Sequence, residues 1–173
     1  MTNKTLTFLL ISLSFVINPV WANTSIAVTD FELLNLTLKL TDPKKVAEID
    51  AQDQKNIAMI NELLKSGLNN MDGFTMISIS DELRNDADKS VGLLFDCASC
   101  SSELGRNNNA DYIIIGRLHK PTYLFSYLIA RIFDTKTNKL VKEYRSEVKG
   151  TPSKSIPGAV GNLLHKINKD IPH

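Results

Sequence analysis

The chain has 173 residues and a nearly balanced charge, with 20 lysines and arginines against 19 aspartates and glutamates. A net charge of +1 gives no field that would attract nucleic acid or anionic lipid, so roles on nucleic acids or membrane surfaces are disfavoured. The length fits one domain with a full hydrophobic core. There are 2 cysteines.

The N-terminus has the pattern of a secretory signal peptide. After a lysine, residues 6–17 form an apolar run, and a polar-to-small stretch follows it. Val20 and Ala22 occupy the two positions where signal peptidase accepts small or modest side chains, so we expect cleavage after Ala22. The run is shorter than the roughly 20 residues of a membrane span. The sequence therefore predicts a signal peptide over residues 1–22 and a periplasmic chain over residues 23–173.

The first half of this exported chain alternates between strand and helix patterns. The β-branched and aromatic residues around Ile26 favour a first strand. The polar stretch around Asp42 and Pro43 predicts a loop with short extended or helical pieces. Apolar residues on one helical face predict a helix over residues 51–70, and the alternating sequence FTMISIS predicts a second strand over residues 74–80.

The second half begins with a polar segment, residues 81–110. It predicts a loop that leads into a short helix ending near Gly105, a suitable C-terminal cap, with the cysteines at or just before that helix. The continuous apolar run over residues 112–115 predicts a central strand covered on both faces. Two extended runs around the polar turn DTKTNK predict a hairpin, and an apolar stripe from Ile156 to Ile171 predicts a last helix.

These elements follow the order β-α-β-α-β-β-β-α, with no internal repeat or low-complexity tract. Such an order predicts an α/β fold with a mixed β-sheet of about five strands and helices packed on it. We expect residues 23–173 to form a single domain.

The cysteines form a C-x-x-C pair, and two cysteines in an exported chain predict a disulfide between Cys97 and Cys100. A redox centre needs a thiol of low pKa, which the acidic neighbours Asp96 and Glu103 oppose. Covalent haem attachment needs a histidine where Ser101 stands, and a zinc site needs two further ligands. We therefore interpret the pair as a local structural brace, with a thiol–disulfide or electron-handling centre as the alternative, and we expect no metal and no cofactor.

Five polar residues are candidates for binding. Asp30 and Glu32 alternate on the first strand, so both can point to one face within reach of a cation or for acid/base work. Arg117 and His119 share a face of the central strand, with Lys120 beside them. The alternative for both groups is a solvated strand end, which is the commoner role of surface charges.

The aromatic residues Tyr123, Phe125 and Tyr127 share one strand face, which predicts a packed or partly exposed sheet face more than a docking platform. The sequence contains no Gly-rich phosphate loop, no recognisable Ser-His-Asp signature and no zinc-protease motif. It offers no catalytic residue, and we expect a protein that is not an enzyme.

Three stretches carry a resemblance to a known family: IAVTDFEL (residues 26–33), the long stretch from CASC to NKLV (residues 97–141), and EVKGTPSKSIPGAVGNLL (residues 147–164). They resemble a bacterial exported family of unknown function whose members are often encoded near PQQ-dependent (quinoprotein) alcohol or methanol dehydrogenases and their cytochromes. The order of elements also resembles, more distantly, the N-terminal domain of TolB, an envelope assembly module.

The resemblance implies an accessory or interaction protein of the periplasm whose protein partner is a quinoprotein dehydrogenase or its cytochrome. Two alternatives stay open. One is the C-x-x-C thiol–disulfide or electron-handling protein, and the other is an envelope assembly module of the TolB kind.

Overall fold

The computed structural model describes residues 23–36, 42–79, 93–122 and 125–173 of the chain. The predicted signal peptide therefore lies outside the described residues. The strands are β1 (Thr24–Val28), β2 (Glu32–Asn35), β3 (Phe74–Ile77), β4 (Tyr112–Lys120), β5 (Phe125–Asp134) and β6 (Lys139–Lys149). The helices are α1 (Pro43–Asn69), α2 (Leu93–Asp96), α3 (Ala98–Asn107) and α4 (Pro152–Asp170).

Strand β4 is the centre of a mixed six-stranded sheet. On one side, β1 and then β2 run parallel to it, with Ile26 opposite Tyr112 and Glu32 opposite Arg117. On the other side, β5 is antiparallel to β4, and β6 is antiparallel to β5. Strand β3 pairs in parallel with β1 at the opposite end of the sheet. The predicted mixed α/β fold is confirmed, as is the central place of the apolar run that begins β4.

The first strand is interrupted after Val28, and β2 continues along the same neighbour. In the interruption, the Phe31 ring is buried against the backbone of Gly116 on β4. A Cβ atom at position 116 would lie only 2.0 Å from the Phe31 ring. Glycine is therefore required there, because any larger residue would displace the ring.

One face of the sheet packs against α1 and α4, and we call it the covered face. It joins strand residues such as Ile114, Leu118 and Leu128 to helix residues such as Leu64 and Leu163 in one hydrophobic cluster. A second, smaller cluster on the opposite face joins strand residues to α2 and α3; its buried members are Ala27, Ile79, Phe95, Leu104, Ala110, Ile113, Ile115 and Phe133. Among the described residues, helices thus pack on both faces, with the long helices α1 and α4 on the covered face and the shorter α2 and α3 on the second face.

Helix α1 begins earlier than the sequence predicted. Asp42 is its N-cap, with a side chain that accepts a hydrogen bond from Lys44 N at 3.0 Å, and Pro43 follows as the first helical residue. Proline is well tolerated there because the first N–H of a helix has no intrahelical partner. The prediction of a loop around Asp42 and Pro43 was wrong, since these residues start the helix rather than interrupt it.

The predicted cap at Gly105 is also wrong. Helix α3 continues to Asn107, and Asn109 adopts the left-handed conformation after it, with φ 57°. A Cβ at position 105 would lie 2.6 Å from Thr135 and 3.0 Å from Ile113. The glycine therefore lets α3 approach the sheet closely, which is a packing role that the local sequence does not reveal.

Candidate functional site

The part of the second face beyond α2 and α3 is polar, and we call it the open face. Cross-strand pairing places its side chains in rows across β2, β4, β5 and β6. The open face consists of Glu32, Leu34, Arg117, His119, Phe125, Tyr127, Ile129, Arg131, Glu143, Arg145, Glu147 and Lys149. All of these residues are half-buried or exposed.

Two arginines of the open face are fixed against the end of α2. The guanidinium carbon of Arg117 lies 3.6 Å from the centre of the Phe95 ring, and that of Arg131 lies 4.2 Å from it. Both arginines form ion pairs with Asp96, at 3.6 Å and 2.9 Å. Arg131 also donates to the Phe95 carbonyl oxygen at 2.7 Å. The stacking and the ion pairs together hold the two planar cations in one orientation.

The same two arginines connect α2 to the sheet on either side. Arg117 Nε donates to Glu32 Oε1 at 2.6 Å, and Arg131 Nε donates to Glu143 Oε2 at 2.7 Å. Because Glu32 belongs to β2 and Glu143 to β6, the ion-pair network extends across the sheet.

A third arginine is stacked but has no ion pair within the described residues. The Arg145 guanidinium carbon lies 3.6 Å from the centre of the Tyr127 ring, and Phe125 meets the same ring edge-on at 5.5 Å between centroids. Arg145 is exposed, so its donors are available to a binding partner.

His119 belongs to β4 and lies opposite Tyr127 of β5. Its Nε2 atom is buried and has no hydrogen-bond partner in the part of the chain that the structure describes. Burial, followed by the charges of Arg145 and Arg117, lowers the pKa of His119 below its ordinary value. The protonated form of the imidazole is therefore disfavoured beside these two cations.

The predicted pairing of Asp30 with Glu32 does not occur. Asp30 lies in the interruption between β1 and β2 and forms an ion pair with Lys65 of α1, whereas Glu32 binds Arg117 on the open face. The expectation that both carboxylates share one face was wrong, because the first strand is not continuous. Of the predicted binding residues, the structure brings Glu32, Arg117 and His119 together.

Lys120, the neighbour of His119, points to the covered face. Its Nζ atom lies 2.7 Å from both carboxylate oxygens of Asp53, which also accepts from Asn35 Nδ2 at 3.3 Å. The side chains of Lys120 and Asp53 are only 15% and 3% exposed. This ion pair borders a cavity of about 260 Å³ at the end of the sheet, where Asn56, Leu118 and other side chains of α1, α4 and β4–β6 complete the lining.

The cysteines form a disulfide at the start of α3. Cys97 is the N-cap of the helix, and its sulfur accepts a hydrogen bond from Cys100 N at 3.2 Å. The residue before it, Asp96, is the anchor of the two stacked arginines. The bridge therefore lies beside the open face and constrains the turn between α2 and α3.

Sequence reasoning missed Phe95, Arg131, Glu143 and Arg145. The last two carried a readable signal, because the charges at positions 143, 145, 147 and 149 alternate in sign with the period of a strand. Phe95 and Arg131 carried none, since their contact joins segments 36 residues apart.

Among the described residues, no group of three or more His, Cys, Asp and Glu side chains is placed to hold a metal ion, and no helix is both long enough and apolar enough to cross a membrane. The described residues define a small α/β protein with a polar sheet face.

The chain belongs to the DUF3280 family, described as "Protein of unknown function (DUF2380)", whose model matches residues 24–167. The predicted membership of a family of unknown function is confirmed. No curated protein has significant sequence similarity to the chain.

Solved structures with a similar arrangement are known. The hypothetical protein CT253 from Chlamydia trachomatis has a TM-score of 0.53 at 10% identity, covering 86% of this chain and 98% of that one, which shows a shared fold. TolB from Acinetobacter baumannii has a TM-score of 0.47 at 12% identity, covering 86% of this chain and 28% of TolB. The LpoB C-terminal domain from Salmonella enterica has a TM-score of 0.42 at 16% identity, covering 77% and 87%. At TM-scores below 0.5, the last two similarities say nothing about function.

Proposed function

We propose that this protein is an exported, non-enzymatic interaction module of the cell envelope, a single domain over residues 23–173, which binds a protein partner through its open face. The observation that carries the proposal is that the described helices cover the two faces of the sheet unequally. Helices α1 and α4 pack along the covered face, whereas the open face presents ordered arginine, tyrosine and histidine side chains to the surface.

The composition of the open face supports protein binding. Arginine and tyrosine are enriched at the energetically important positions of protein interfaces. Here Arg117, Arg131 and Arg145 are already stacked on aromatic rings, so a partner would not have to immobilise them. Fewer side chains then lose conformational freedom on binding, which favours association.

Two features support export. The N-terminal segment has the pattern of a signal peptide, and the Cys97–Cys100 disulfide is typical of an oxidising compartment. Fractionation of cells with alkylation of free thiols tests this part. We expect the disulfide-bonded chain in the periplasmic fraction, and a reduced chain in the cytoplasm would contradict export.

Affinity capture from periplasmic extract tests the docking function. The probe is the secreted protein in three forms: wild type, Tyr127→Glu on the open face, and Lys55→Glu on the exposed side of α1 as the matched control. We expect wild type and the control to recover the same protein, and the Tyr127 variant to lose it. Equal recovery by all three forms would contradict docking at the open face.

The identity of the captured protein tests the finer predictions. A quinoprotein dehydrogenase or its cytochrome would support the predicted association with alcohol oxidation, and recovery of neither would count against it. Cys97→Ser/Cys100→Ser addresses the thiol–disulfide alternative, because an interaction protein retains its partner without the bridge whereas a redox protein loses its activity.

The cavity beside Lys120 favours a second candidate function, the binding of a small molecule with a polar group and an apolar body. Its lining combines the Asp53–Lys120 pair and Asn56 with apolar side chains, which is the usual make-up of a ligand site. Screening small molecules by NMR tests it. We expect shifts at Lys120 and Asn56 that are lost when Val148→Phe fills the cavity, and shifts that persist in this variant would contradict the site.

A further inference from the structure

Strand β6 ends the sheet, and within the described residues its outer edge pairs with no other strand. It is 11 residues long, and its open-face side chains are exposed. The unpaired N–H and C=O groups of such an edge are a template for a further strand. Any strand added there must match the side chains that β6 presents.

The charges along the open-face side of β6 alternate. Glu143, Arg145, Glu147 and Lys149 follow one another at every second residue, because they lie opposite the open-face residues of β5. An antiparallel strand with the same four charges reverses their order. When two copies of β6 pair about Ser146, Glu143 faces Lys149 of the second copy and Arg145 faces its Glu147.

This register gives four cross-strand pairs of opposite charge, since each of the two contacts occurs twice by symmetry. Other registers do not. Pairing about Tyr144 retains Arg145 opposite Glu143 but places Glu147 and Lys149 opposite the start of β6, where a register shift interrupts the alternation of side chains. Opposite charges that face each other stabilise a strand pair and like charges destabilise it, so the charges select Ser146 as the centre.

The ion pairs within one copy leave room for this contact. Arg145 is stacked on Tyr127 but has no ion pair among the described residues. Glu143 and Glu147 already pair with Arg131 and Lys149 within one copy, but their side chains remain 43% and 49% exposed, so each can accept a second cation. A carboxylate from a second copy would complete the pairing of the one arginine on the open face that lacks it.

Helix α4 also leaves space next to this edge. Asn162 lies over Ser146, with Nδ2 at 3.5 Å from Oγ, so this side of the helix faces β6. Gly158 is four residues earlier on the same side, and a Cβ there or at Gly161 would meet nothing within 4 Å. Glycine lowers helix stability, and these two fill no space in one copy, so they allow a second α4 to approach closely.

We propose that the protein forms a symmetric dimer in which the outer edges of β6 from two copies pair antiparallel about Ser146. The two sheets then continue into each other, and the two open faces lie side by side on one surface. This goes beyond the proposed docking function, because the occupant of the edge is a second copy of the chain.

Sedimentation of the secreted protein tests the dimer through a charge swap. We expect Arg145→Glu and Glu147→Arg each to weaken the dimer by about tenfold or more, because each places like charges opposite each other at two symmetric positions. Combining the two substitutions restores opposite charges across the edge, so the double variant should dimerise like wild type.

Two controls make the result specific. Lys55→Glu changes one charge on α1 in the same way and should leave the dimer unchanged. Arg145→Glu with Glu143→Arg restores opposite charges only in the register about Tyr144, so it should remain weakened. A wild-type protein that stays monomeric at millimolar concentration, or a dimer that the single variants leave intact, would overturn the proposal.

Discussion

Leu128 and Ile129 are neighbours on β5, yet their side chains lie on opposite faces of the sheet. Leu128 is 2% exposed and belongs to the cluster under α1 and α4, whereas Ile129 is half-buried between Arg117 and Arg145. The alternation of a strand thus puts one residue into the hydrophobic core and the next into a polar surface. The covered face contributes the larger hydrophobic cluster, and the open face contributes polar side chains at the surface.

The charges on the two faces differ in the same way. On the covered face, Asp53 and Lys120 are largely buried, with side-chain exposures of 3% and 15%, and they depend on each other. On the open face, Arg131 and Glu143 remain partly exposed to water, with side-chain exposures of 26% and 43%. The ion pair on the covered face therefore stabilises the fold, whereas the ion pair on the open face orients surface side chains.

The largest expected effect comes from breaking the buried ion pair. Lys120→Met leaves Asp53 as an unpaired buried charge, so we expect a loss of about 3–5 kcal/mol in the free energy of unfolding. Removing both charges in Lys120→Met/Asp53→Leu should recover most of it. Glu143→Gln on the open face is the comparison and should cost at most about 1 kcal/mol. Urea unfolding measures the free energy of unfolding of all three variants. Equal losses in Lys120→Met and Glu143→Gln would contradict the difference between the two faces.

Truncation of the two neighbours on β5 sharpens the comparison further. Leu128→Ala removes a fully buried side chain and should cost about 2–5 kcal/mol. Ile129→Ala should cost less, because the side chain is only partly buried and packs against the smaller cluster rather than inside the core. The two unfolding midpoints provide the test, and a larger loss at Ile129 would mean that the open face is part of the core.

The disulfide should contribute moderately. Its two cysteines are 3 residues apart in the sequence. For so short a loop, the chain-entropy model gives a stabilisation of about 2 kcal/mol. Cys97→Ser/Cys100→Ser should therefore lower the melting temperature while the far-ultraviolet circular dichroism stays native. Complete unfolding of the variant at room temperature would show that the bridge holds more than a local turn.

The smallest effect concerns His119. Its folded-state pKa is lowered below the ordinary 6.5 by burial and by Arg145 and Arg117. Below about pH 6.5 the unfolded chain then binds a proton that the folded chain does not, so stability falls as pH falls towards the folded pKa and is fully retained above pH 6.5. His119→Gln should reduce this dependence below about pH 6.5, with the exposed His165→Gln as control. An unchanged slope in His119→Gln would contradict it.

Periodicity and composition predicted most of the fold. Strand β4, the hairpin of β5 and β6, and helix α4 follow from local patterns that tertiary contacts reinforce. The start of α1 did not, because none of residues 43–50 is buried, so these residues carry no apolar stripe. The role of Gly105 depends on a contact with Thr135, which no local pattern encodes.

The open face was predictable only in part. Arg117 and His119 were recognised as neighbours because residues two apart on a strand share a face. Their contacts with Phe95 and Asp96 could not be recognised, because α2 is brought to the sheet only by the tertiary fold. Lys120 was grouped with them by proximity in sequence, but the alternation of β4 places it on the covered face.

Photo-crosslinking inside the periplasm tests the central claim most directly. A photoreactive phenylalanine analogue replaces Tyr127, which lies on β5 within the open face, and replaces Lys55 on α1 in a parallel strain. We predict a discrete crosslinked species, containing a second protein, from position 127 and none from position 55. Crosslinks from position 55 with none from position 127 would contradict the assignment of the open face as the interaction surface.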